Sequence, residues 1–281
     1  MSHHTFFPSH FPSHPTFPSH ESTISFHSPI PSFHSCHTVP HLLTSRVIHS
    51  GEIDIIEGVH TTTSDTLTLH TSNNCTTTPS SAANLFTGTL STSNCFVNAP
   101  NQGNNAGCGI AANNDTTYGA GLNAVGGGIY ATEWTDAAIS IWFFPRAYIP
   151  HDLLHGDHPQ PGSAGWGEPL AQWTTAGCDI DTHIRDQQIV FDDTFCGDWA
   201  GNVWQYYPQC APLASSCNAY VANNRSAFAD AYWTVNSLKV YQVGGKGESH
   251  SPGHAPYGIG SSLAPQISAL APIPKDDGPG K

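Results

Sequence analysis

Gly51-Glu52-Ile53-Asp54-Ile55-Ile56-Glu57-Gly58 sets three carboxylates among three isoleucines, between two glycines. Side chains alternate along a strand, so Glu52 and Asp54 share one face, and strict alternation puts Glu57 on the other. A β-bulge within residues 54–57 supplies the one extra residue that restores parity. It swings Glu57 back beside the other two acids and leaves the isoleucines facing a core. Like charges crowded in this way raise at least one pKa, so one carboxyl can stay protonated as a general acid while a neighbour remains ionised as a nucleophile. That division of labour belongs to glycoside cleavage. The competing reading is a solvated edge strand whose charges deter aggregation.

Around this segment, residues 50–242 have a globular composition. Thr66-Leu67-Thr68-Leu69-His70, Ile139-Ser140-Ile141-Trp142-Phe143 and Gln188-Ile189-Val190-Phe191 read as strands between Gly-, Asn- and Pro-rich turns. Only 10% of the 281 residues are charged, and abundant Gly, Thr, Asn and aromatics disfavour helical bundles. An all-β sandwich is the expected class. Eight Lys and Arg against 21 Asp and Glu give a net charge of −13, which leaves no basic patch for a nucleic-acid backbone. No apolar run reaches the length of a membrane span, and no signal peptide is legible.

Residues 1–49 carry 10 of the 18 His and 7 of the 22 Pro, in repeats such as Phe7-Pro8-Ser9-His10 and Phe11-Pro12-Ser13-His14. This composition predicts a disordered, low-complexity leader without a core. Its alphabet of pyrimidine-rich codons points to a translated intron or a misplaced start. Residues 243–281 turn to Gly, Ser, Ala and Pro and read as a flexible tail. Cys75, Cys95, Cys108, Cys178, Cys196, Cys210 and Cys217 contain no Cys-x-x-Cys pair, so disulfides are expected rather than zinc. Their odd number calls on Cys36 or on a cysteine further upstream. Sequons at Asn74, Asn114 and Asn224 agree with an extracellular protein. The His151–His158 run fits no standard metal spacing, and Gly126-Gly127-Gly128 precedes a strand and is turn punctuation rather than a phosphate loop. No cofactor or metal is implied.

The acidic segment resembles the signature of glycoside hydrolase family 16, in particular its fungal laminarinase-type endo-1,3(4)-β-glucanases. The resemblance continues through Thr68-Leu69-His70-Thr71, Asn105-Ala106-Gly107-Cys108-Gly109, Gly126-Gly127-Gly128-Ile129-Tyr130-Ala131, Glu133-Trp134-Thr135 and Ile141-Trp142-Phe143-Phe144-Pro145-Arg146. It then runs through Phe195-Cys196-Gly197-Asp198-Trp199-Ala200-Gly201 to Val235-Asn236-Ser237-Leu238-Lys239-Val240-Tyr241-Gln242. It implies a β-jelly-roll sandwich with a cleft for β-1,3 or mixed-linkage β-glucan, acting as a monomer by retaining hydrolysis. By the same resemblance Glu52 matches the nucleophile, Glu57 the acid/base and Asp54 the aspartate between them. His70, Trp199 and Trp134 are its candidate substrate-binding residues, with Trp142 the alternative to Trp134.

The resemblance also implies further strands ahead of residue 50, ending in a Trp- and Cys-containing segment. Here the leader stands in their place, no Trp precedes Trp134, and Val47 occupies the place of a cleft tryptophan. A sandwich short of strands in both sheets loses more than the usual net stability of about 5–15 kcal/mol, so an N-terminally incomplete, poorly folding domain is expected. A vestigial glucan-binding protein and a glucan transglycosylase are the rival functions. Alternation with Phe191 and Phe195 places Asp193 toward the core, with Arg185 as a candidate partner.

Overall fold

A computed structural model describes residues 22–28, 39–45, 50–79, 86–155, 159–229 and 231–242. Its strands are β1 (Ser22–Ser28), β2 (Val39–Ser45), β3 (Glu52–Ile56), β4 (Thr66–His70), β5 (Thr89–Leu90), β6 (Cys108–Ala111), β7 (Gly128–Trp134), β8 (Ala138–Pro145), β9 (Ala171–Thr174), β10 (Ile189–Thr194) and β11 (Ser237–Gln242). They form two sheets, in the orders β11-β1-β7-β8-β9 and β10-β2-β3-β4-β6-β5. Every pairing between these strands is antiparallel. The three strands read from the sequence all form, and the architecture is the expected all-β sandwich.

The core between the sheets is built by alternation. Ile53, Ile55, Leu67, Leu69 and Ile110 from one sheet meet Tyr130, Ile139, Ile141, Ala171 and Trp173 from the other, all nearly inaccessible to solvent. The intervening residues Ile129, Ala131, Trp142 and Phe144 point outward from β7 and β8. They are buried in a second cluster beneath Ile149, Leu153 and Trp166. A loop thus covers the back of the sheet, and Asp152 pins it by accepting from Trp166 Nε1 at 2.9 Å.

Ser22–Ser28 and Val39–Ser45, inside the segment whose composition predicts a leader without a core, form strands. Within that segment β1 pairs with both β7 and β11, and β2 with both β3 and β10. The edges of β3 and β7 that a missing N-terminal region would have left open are therefore paired. Strand pairing satisfies backbone N–H and C=O groups whatever the side chains are. The Ile24/Phe26 alternation inside Ser22–Ser28 is an ordinary strand signal that the surrounding His and Pro obscured. Pro40 is tolerated because β2 pairs with β3 only over Leu42–Ser45, beyond the proline. The Phe-Pro-Ser-His repeats, Val47, Cys36 and residues 243–281 lie outside the described residues.

Asp193 also departs from expectation: it is exposed, as is Arg185. β10 is the edge strand of its sheet, and Phe191 and Phe195, on the same face as Asp193, are themselves 37% and 57% exposed. At that edge a carboxylate keeps its water and incurs no burial penalty. Disulfides join Cys75 to Cys178, Cys95 to Cys108 and Cys196 to Cys217. Cys210 is likewise disulfide-bonded, and none of the described cysteines is free.

Candidate active site

The bulge expected from parity is present. Leu43 stands opposite Asp54 but its neighbour Leu42 stands opposite Ile56, so Ile55 is the extra residue on β3. The other side of the strand shows the same offset. Asp54 registers with Thr68, yet the carbonyl of Glu57 accepts from Thr66 N–H at 3.0 Å, one residue later than that register extrapolates. Ile55 and Ile56 are both buried in the core, while Glu52, Asp54 and Glu57 line one cleft of about 230 Å³. Gly51 makes the entry into β3 possible. Its φ is +69°, and a Cβ there would lie 2.4 Å from the carbonyl oxygen of His183.

His70 registers opposite Glu52, and its Nε2 lies 2.9 Å from Asp54 Oδ2. Burial by itself lowers the imidazole pKa. The hydrogen bond to Asp54, with the charges of Asp54, Glu52 and Glu57, outweighs it and raises the pKa to about 9. The site at neutral pH therefore sets one imidazolium among three carboxyl groups. Gly107 lets the neighbouring loop approach this pair: its φ is +59°, and a Cβ would lie 2.8 Å from His70 Nδ1.

The far wall of the cleft comes from the segment after β10. Asp192, Thr194, Asp198 and Trp199 line it, with Trp199 39% exposed on the helix Gly197–Val203. That helix is fixed by the Cys196–Cys217 disulfide and by His60, whose Nε2 donates to Ala200 O at 2.8 Å. His60 packs edge-on against Trp204 and Tyr207, and its burial lowers its pKa, so it serves as a neutral donor. Among the described residues no group of three or more His, Cys, Asp or Glu is arranged to hold a metal ion.

Five of the six residues singled out in the sequence thus converge: Glu52, Asp54, Glu57, His70 and Trp199. Trp134 does not. It ends β7 on the opposite sheet, on the face that includes Tyr130, and packs half-buried against the inter-sheet core. Trp142 faces the other way, into the outer cluster, so neither tryptophan reaches the cleft. The expectation that one of the two faces the cleft does not hold, because both stand on the sheet that does not bear it. Asn105, Asp192, Asp198 and His60 were not singled out. Asn105 stands in a segment that carries the family resemblance, and its φ of +55° marks a constrained loop.

Residues 34–241 match the family model described as "XgeA-like, catalytic GH16 domain". The chain belongs to glycoside hydrolase family 16. The GH16 match begins within the His- and Pro-rich leader, upstream of the boundary that composition indicated. An endo-1,3(4)-β-glucanase of Arthroderma benhamiae is 45% identical over 195 residues, which are 69% of this chain and 41% of that protein. The GH16 chain thus spans less than half the length of that relative.

Laminarinase 16A from Phanerochaete chrysosporium, solved with β-glucans in donor and acceptor sites, superposes with a TM-score of 0.69 at 39% identity. The superposition covers 81% of this chain and 74% of that one. An elongating GH16 β-1,3-glucosyltransferase superposes with a TM-score of 0.66 at 34% identity, covering 81% and 73%. The sandwich of this GH16 chain is accordingly the β-jelly-roll.

Proposed function

We propose that the cleft hydrolyses internal β-1,3 or mixed β-1,3/1,4 linkages of glucan with retention of configuration. The observation that carries this reading is the bulge at Ile55, which gathers Glu52, Asp54 and Glu57 in one cleft beside the exposed Trp199. Glu57 protonates the glycosidic oxygen while Glu52 attacks the anomeric carbon, so the carbon–oxygen bond breaks as the glycosyl–enzyme bond forms. Water, deprotonated by Glu57, then attacks the same carbon and releases Glu52. Asp54 and protonated His70 form a buried pair beside the nucleophile that holds its surroundings fixed as charge moves. Trp199 offers a ring face against which a sugar stacks. The disulfides fit an oxidising compartment and hence an extracellular enzyme.

Reducing-sugar release from a β-1,3-glucan by the full chain, beside Glu52→Gln and Glu57→Gln, tests this reading. Activity in the wild type that both variants lose supports it. Folded wild-type protein that binds glucan without cleaving it would favour the vestigial reading. Lengthened products would show that a sugar replaces water as acceptor, the chemistry named for the glucosyltransferase neighbour.

A further inference from the structure

Asp65 is fully buried in the turn that returns from β3 to β4. Its Oδ1 accepts the backbone N–H of Glu57 at 2.7 Å, and Thr66 beside it donates its N–H to the Glu57 carbonyl. Both backbone polar groups of Glu57 are thus held by one dipeptide, just past the bulge where the regular ladder lapses. On the other side of the carboxyl stands Tyr130 of β7, in the opposite sheet. The Tyr130 hydroxyl donates to the carbonyl of Thr117, and Thr117 Oγ1 accepts the N–H of Asp65 at 2.9 Å.

We propose that Asp65 is a positioning residue for Glu57: as a neutral carboxylic acid it accepts the Glu57 N–H and donates its own proton to Tyr130, bracing the acid/base against the opposite sheet. The hydrogen-bond inventory favours the acid form. Asp65 Oδ2 is buried without a hydrogen-bond partner, so an ionised oxygen there would stand unsatisfied, and the Tyr130 proton is committed to Thr117, which leaves Tyr130 an oxygen lone pair free to take an acid proton. The titratable groups facing Asp65 are Glu57, Tyr118 and Tyr130, none of them a cation. Burial accordingly pushes its carboxyl well above the usual range. The inference rests on the reading of Glu57 as acid/base.

The test compares Asp65→Asn, Asp65→Leu, Tyr130→Phe and Glu57→Gln on two substrates. One is β-1,3-glucan, whose leaving group needs a proton. The other is a dinitrophenyl β-laminaribioside, whose leaving group departs without one. Asparagine keeps the acceptor for the Glu57 N–H and offers Tyr130 the donor that the neutral acid would, so Asp65→Asn is expected to stay within about twofold of the wild type. Its heat stability is expected to exceed the wild type's at neutral pH and to converge with it in acid, because only the wild type resists an ionisation that the unfolded chain permits. Asp65→Leu is expected to lose about a hundredfold in kcat/KM on glucan, the scale of general-acid catalysis, and far less in kcat/KM on the activated substrate, since that ratio reports formation of the glycosyl-enzyme and not its hydrolysis by Glu57-activated water.

Equal losses on both substrates, or an Asp65→Asn as damaged as Asp65→Leu, would overturn the proposal. Should Asp65→Leu not fold, Tyr130→Phe is expected to show the same selective loss at about fivefold, the scale of one net hydrogen bond, and no selectivity there would overturn it equally. Full activity in Glu57→Gln would instead sink the acid/base reading, whatever the Asp65 variants do.

Discussion

Asp54 Oδ2 and His70 Nε2 lie 2.9 Å apart, which joins two neighbouring strands by a pair that is almost wholly buried beneath the cleft. The His70 pKa is raised from 6.5 to about 9 in the folded protein. Its contribution to stability is therefore complete below pH 6.5 and is lost as the pH rises through about 9. His70→Gln is expected to cost on the order of 3 kcal/mol at about pH 6 and much less at about pH 10. Urea denaturation of both proteins across that range checks this, and a pH-independent difference would remove the charge-pair account.

Gly107→Ala is expected to disturb the same pair without touching either partner chemically. The left-handed backbone costs about 1–2 kcal/mol for a residue with a Cβ. The new methyl would also press on His70 Nδ1 and on the Leu69 carbonyl oxygen 2.7 Å away. Thermal unfolding should show the loss, and the His70 ring protons should shift in NMR spectra. A variant with unchanged His70 signals would show that the loop yields instead.

Trp199 and Trp134 should separate cleanly. Trp199→Ala is expected to raise KM for glucan about tenfold with little change in stability, since its ring is partly exposed at the cleft. Trp134→Ala is expected to cost roughly 2–3 kcal/mol of stability and leave KM near the wild-type value, since it packs against the core. The reverse pattern would place the sugar platform on the other sheet.

The disulfide Cys75–Cys178 spans 103 residues and Cys95–Cys108 spans 13. Replacing each pair by serines is expected to cost about 5 and about 3 kcal/mol respectively, through freedom regained by the unfolded chain. Denaturation midpoints of the two variants measure this, and equal costs would argue that strain or packing outweighs loop entropy.

What depends on local order was legible in the residues alone. Gathering the three acids on one face takes one extra residue between Asp54 and Glu57, because strand side chains have a period of two. The strands Thr66–His70 and Ala138–Pro145 were legible for the same reason. Composition failed for Ser22–Ser28 and Val39–Ser45, because the surrounding His and Pro obscured short strand patterns whose backbone groups are satisfied by pairing with β7 and β3. That Trp199 lines the cleft while Trp134 faces the core follows from packing between distant strands, since alternation fixes a face but not which sheet it meets. The same holds for Asp193, spared burial by an edge position, and for Asp65, buried by a turn. Whether a carboxyl is a solvated charge or a neutral brace depends on what packs around it, and those neighbours come from distant strands.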